Sequence, residues 1–148
     1  MIKQQVEKDL KQAMIDGDKD LVMALRNIKS AILYIEVERG KREEGLDDDS
    51  IVNLLLKEAK KRQDSADMYK QGGAQDRATA ELNEKQIIEK YLPAPMSEQE
   101  IEVLIDEVTQ SVGGVSRQNM GQIISQVKSK AGGSADGGTI AKLIQKRL

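Results

Sequence analysis

From Ile2 onward the apolar residues fall at Ile2, Val6, Leu10, Ala13 and Met14, the three- and four-residue spacing that lines one side of an α-helix. Gly17 ends that stripe, and Asp18 offers an N-cap for a second helix. The apolar side of that helix is Leu21, Leu25, Ile28, Ile32 and Ile35, and it runs to Gly40. The charged stretch 41–49, with Gly45 inside it, breaks the period and reads as a mobile loop. A third helix begins around residues 47–50 and turns Ile51, Leu54, Leu55 and Ala59 inward. It continues through Met68 and Tyr69 and stops at Gly72-Gly73. A fourth, over about 74–91, places Ala78, Leu82, Ile87 and Ile88 inside.

Leu92-Pro93-Ala94-Pro95 is the clearest break, because two prolines one residue apart cannot lie inside a helix and favour an extended linker. Ser97 with Glu100 three residues later has the pattern of a capping box. Three further stripes follow: Ile101, Leu104, Ile105 and Val108 before Gly113-Gly114; Met120, Ile123, Ile124 and Val127 before Gly132-Gly133; and Ile140, Leu143, Ile144 and Leu148. The expectation is an all-α protein of two sub-domains. Residues 1–92 form four helices, 93–96 a proline linker, and 97–148 a smaller three-helix domain.

Composition agrees with that reading. The three aromatics are all tyrosine, so the core is built from Leu, Ile, Val, Met and Ala, which suit helix–helix interfaces better than a β-sandwich. The chain has no cysteine and no histidine, which removes disulfides, thiol catalysis, the usual general base and the commonest metal ligand. No apolar run approaches the ~20 residues of a membrane span. Met1-Ile2-Lys3-Gln4-Gln5 lacks the apolar core of a signal peptide, so no membrane association and a cytoplasmic location are expected. The net charge of −2 conceals an asymmetry: residues 111–148 hold six basic residues against the single acid Asp136.

Several segments together resemble the YqeY-like family. They are Ala24-Leu25-Arg26-Asn27-Ile28-Lys29-Ser30-Ala31-Ile32, Lys61-Arg62-Gln63-Asp64-Ser65-Ala66, Tyr91-Leu92-Pro93, Asn119-Met120-Gly121-Gln122-Ile123, and Ala135-Asp136-Gly137 leading into residues 140–148. The resemblance runs nearly end to end, in family order. It implies that the C-terminal part is similar to the tail of the B subunit of the glutamine-dependent tRNA amidotransferase. That tail is a helical appendage facing the tRNA body, while ATP-dependent activation and amide transfer belong to other regions. The resemblance therefore implies an RNA-facing role and no cofactor. A carbon–nitrogen ligase activity would belong to a complex rather than to this chain.

The candidate nucleic-acid contacts are Lys128, Lys130, Lys142, Lys146 and Arg147. Lys142 and Lys146 are four apart and share a helix face. Such sets supply the salt-dependent part of nucleic-acid affinity, and the amides at the start of the last helix could hold a phosphate. The simpler account is that these cations complement a helix dipole and that Asp136 is an ordinary N-cap. A second basic set, Lys57, Lys60, Lys61 and Arg62 with Lys41 and Arg42 nearby, is interleaved with Glu58 and Asp64 and reads as a solvated face. Arg26, Asn27, Lys29 and Ser30 either pair with acids of a neighbouring helix or line a groove. No glycine-flanked nucleophile, phosphate loop or calcium loop is present, and Asp47, Asp48 and Asp49 suit a helix start.

Three functions follow in order: a non-catalytic tRNA- or RNA-associated accessory module, a helical module holding a protein partner, and an amidotransferase-related activity expressed only in a complex.

Overall fold

The computed structural model describes all 148 residues. They form seven helices and no strand: α1 Ile2–Asp16, α2 Lys19–Glu38, α3 Asp48–Gln71, α4 Gln75–Glu89, α5 Glu98–Val112, α6 Met120–Ala131 and α7 Gly137–Gln145. The chain divides into two compact units, Met1–Leu92 and Pro93–Leu148. No helix is long and apolar enough to cross a membrane.

In the first unit α1 packs on α2 and α3 packs on α4. Gly17, at φ +71°, supplies the left-handed turn that ends α1, and the Asp18 side chain accepts from the Leu21 amide to begin α2. The core joins Val6, Leu10 and Ala13 of α1 to Leu25, Ile28 and Ile32 of α2. Ile51, Leu55 and Ala59 of α3 and Ile88 of α4 complete it. Each fully buried leucine or isoleucine contributes about 1.5–3 kcal/mol.

Three expectations shift here. Leu54, Leu82 and Ile87 are half-buried rather than inside. Met14, at the end of the apolar stripe of α1, is exposed rather than buried. The loop 41–47 is anchored rather than free. Leu46 joins the core, and its amide donates to Glu36 Oε2 at 3.0 Å.

Glu36 is the one charged residue buried in the chain, at 1% exposure. Lys3 Nζ lies 3.1 and 2.9 Å from its two carboxylate oxygens. Gly45 suits the turn beside this carboxylate because its φ of +78° is a left-handed conformation that other residues adopt only with strain. One carboxylate thus ties together α1, α2 and the 41–47 loop.

In the second unit α5 opens with a capping box of Ser97 and Glu100. The Met96 amide donates to the Ser134 carbonyl at 2.8 Å, fixing the start of α5 against the α6–α7 turn. Ile101, Ile105 and Val108 meet Ile123 and Val127 of α6 and Ile140, Leu143 and Ile144 of α7. Gly113 and Gly132 end α5 and α6 in left-handed conformations.

Candidate functional site

The basic residues of the second unit ride on helices whose apolar sides are fully committed to the core. On α6, Ile123, Val127 and Ala131 face inward, which leaves Lys128 and Lys130 in solvent. Asn119 organises the turn before α6: its Oδ1 accepts from the Ser116 amide, and its Nδ2 donates to the Gly114 carbonyl at 2.8 Å. Arg117 stands exposed on that turn. On α7, Ile140, Leu143 and Ile144 are buried, so Lys142 and the following Lys146 are exposed.

The five candidate cations divide by their partners. Arg147 is partly buried; its Nη1 is 2.6 Å from Asp106 Oδ1 and its Nη2 is paired with the Glu102 carboxylate. These contacts to α5 raise the Arg147 pKa, the hydrogen bond that Arg147 donates to Glu102 foremost. Lys130 Nζ lies 3.5 Å from Glu107 in an ion pair half-open to water. Lys128, Lys142 and Lys146 have no carboxylate within ion-pair distance. Arg147 therefore staples the end of α7 to α5, whereas Lys128, Lys142 and Lys146 form no ion pair, Lys142 acting on the Asp136 carboxylate only from beyond that distance.

The Thr139 and Ile140 amides at the start of α7 are already engaged by Asp136. Asp136 accepts from the Thr139 amide and from Thr139 Oγ1, both at 2.8 Å. The Thr139 amide, foremost, holds the Asp136 carboxyl below its usual 3.8. A negative charge thus occupies the place a phosphate would take. Asp136→Ala is expected to cost about 1 kcal/mol. Because the folded-state pKa is depressed, this contribution is present above 3.8 and is lost as pH falls through the lower folded value. Thermal unfolding of both proteins at neutral and acid pH checks this, and an equal gap at both would contradict it.

The other basic sets resolve differently. Lys57, Lys60 and Lys61 are exposed on α3, and Lys61 pairs with Glu58 one turn away at 3.2 Å. Arg62 turns toward α4, where Nη1 lies 3.2 Å from both Glu81 Oε2 and Glu84 Oε2. On α2, Asn27 Nδ2 donates to Glu84 Oε1 at 3.3 Å, whereas Arg26 and Lys29 are exposed and meet no acid. Asn27, Arg62 and Glu84 line one cleft of about 340 Å³ together with Ala24, Ile28 and Ile88. Two of the sequence segments singled out above, around Asn27 and Arg62, therefore meet at Glu84. Nothing in the local sequence marks Glu84 as their partner.

Tyr91 links distant parts of the first unit: its hydroxyl donates to Asp9 Oδ2 at 2.5 Å across 82 residues. Burial, foremost, and the Asp9 carboxylate push its pKa far above the usual phenol value.

No curated protein matches this chain. A family profile does match it: the family described as Yqey-like protein covers residues 3–148. With essentially the whole chain inside that match, the protein belongs to the YqeY-like family.

Proposed function

We propose that this protein is a non-catalytic accessory module associated with tRNA or a similarly structured RNA, and that the unit Pro93–Leu148 carries the contact. One observation supports this reading above the others: Lys128, Lys142 and Lys146 stand exposed on α6 and α7 without carboxylate partners. Three unpaired cations on a closely packed scaffold suit backbone phosphates, whose neutralisation releases counterions. Arg147 and Lys130 take supporting roles in this reading, Arg147 by holding α7 on α5. The segment around Pro93 and Pro95 serves as the linker between the two working parts.

Each lysine that neutralises a phosphate adds roughly 0.7–0.9 to the slope of log affinity against log salt. Replacing Lys128, Lys142 and Lys146 together by alanine is therefore expected to reduce that slope by about 2 in filter binding to total tRNA. An unchanged slope would remove the reading.

A second reading, a helical module that holds a protein partner, is favoured by the exposed apolar residues of α2: Met23, Leu33 and Val37 at 65%, 42% and 59%. A stoichiometric partner that co-purifies after RNase treatment would support it over RNA. An amidotransferase-related activity in a complex is the third reading, addressed by glutaminase and amide-transfer assays with and without such a partner.

A further inference from the structure

A second surface, separate from the α6–α7 lysines, lies between α2 and α3. A cleft of about 510 Å³ opens there over an apolar floor of Ala31, Ile35 and Leu54. That volume falls within the roughly 300–1,000 Å³ typical of small-molecule sites. Positions 50, 53, 54, 57, 58 and 61 recur at helical spacing, so three turns of α3 present one side to it.

The rim combines three kinds of group. Tyr34 is 70% exposed, which distinguishes it from Tyr91, bonded to Asp9, and from Tyr69, half-buried with the Arg77 guanidinium 6.0 Å from its ring centroid. Arg39, Lys57 and Lys61 line the cleft against one carboxylate, Glu58, so its charge is positive. Arg39 is steadied by Ser50, whose Oγ accepts from Nη1 at 3.3 Å, while Glu58 is already paired with Lys61. Asn53 adds an exposed amide with two donors and an acceptor.

We infer that this cleft binds a nucleotide. The heterocycle lies against the Tyr34 ring and the Ile35–Leu54 floor, the Asn53 amide meets the base edge, and Arg39 and Lys57 take the phosphate while Lys61 keeps Glu58 matched. Exposed aromatic rings beside a cationic track are how sequence-tolerant sites hold unpaired bases. A bidentate amide is the usual reader of an adenine edge. An acidic peptide would use the cations but leave Tyr34 and Asn53 idle. A docked helix would need a longer apolar strip than Ile35 and Leu54 provide. The ligand is either a free nucleotide or an unpaired nucleotide of an RNA. The inference rests on none of the α6–α7 lysines, so it and the RNA reading above fail separately.

The test uses the full chain, which has no tryptophan, and follows the fluorescence of a single-stranded RNA containing 2-aminopurine. AMP and a poly-glutamate peptide serve as competitors. Binding is expected to quench the probe, and Tyr34→Ala is expected to weaken it about tenfold or more, whereas Tyr34→Phe retains it. Lys57→Glu should weaken binding and flatten its salt dependence. The variant lacking Lys128, Lys142 and Lys146 should keep a Tyr34-dependent quench. Displacement by AMP identifies a free-nucleotide site, and binding of the oligonucleotide without AMP displacement identifies an RNA site. The inference is overturned if Tyr34→Ala binds like the wild type, if neither probe binds, or if poly-glutamate is held in a Tyr34-independent manner that excludes RNA. Tyr34 lies on the surface, so its loss does not threaten the fold.

Discussion

Glu36→Ala is expected to destabilise the protein by about 3–5 kcal/mol, the cost of breaking a buried ion pair from one side. The carboxylate is 1% exposed and serves two partners: Lys3 of α1 and the amide of Leu46. Without it the Leu46 amide is left in the interior with no acceptor, and the 41–47 loop loses its tie to α2. Lys3, with its side chain 28% exposed, can turn to water, which places the cost toward the lower end of that range. Glu36→Gln separates the two contributions. Its carbonyl oxygen still accepts from Leu46, so the loss should fall to about 1–2 kcal/mol. Urea unfolding of the three proteins measures both differences. An alanine variant within about 0.5 kcal/mol of wild type would show that this carboxylate does not hold the loop.

The contrast between Glu36 and the residues around it shows what a reading along one chain can reach. The helices are legible because their signals are local. Ser97 and Glu100 sit three apart, Gly17 follows the last apolar position of α1, and Asp18 precedes the first of α2. Glu36 carries no such signal. It lies between Ile35 and Val37 on α2, and only the return of the loop over it, with Lys3 arriving 33 residues away, makes it a buried partner. Sequence periodicity places it near the edge of the apolar stripe and stops there.

The candidate site follows the same rule. The positive charge of residues 111–148 is plain in the sequence, and Lys128, Lys142 and Lys146 are exposed as their spacing from the apolar positions implies. What the spacing does not show is which cations are already matched. Glu102 and Asp106 stand four apart on α5 and together form a receptor for one guanidinium, but the guanidinium comes from Arg147, 45 residues beyond Glu102. Arg62 is similar. It belongs to a run of cations on α3, yet it alone turns to Glu81 and Glu84 of α4. Pairing across helices depends on packing angle and register, and both are fixed by the core rather than by the charged residues themselves.

Ile123→Ala tests the division of the chain itself. Ile123 is fully buried among α5, α6 and α7, and removing three of its carbons costs about 2–5 kcal/mol. At about 0.05–0.15 kcal/mol per residue, a unit the size of Pro93–Leu148 has only about 3–8 kcal/mol in all. The substitution should therefore remove most of its stability and leave Met1–Leu92 intact. The tyrosines make the distinction measurable, because Tyr34, Tyr69 and Tyr91 all belong to the first unit. Far-ultraviolet circular dichroism follows the helices of both units, while tyrosine fluorescence follows the first alone. In urea, Ile123→Ala is expected to add an early dichroism phase with the fluorescence midpoint unmoved. Leu55→Ala, in the first core, should instead lower the fluorescence midpoint. If Ile123→Ala shifted both probes equally, the two units would be melting as one cooperative body, and their thin cores would have to be counted together.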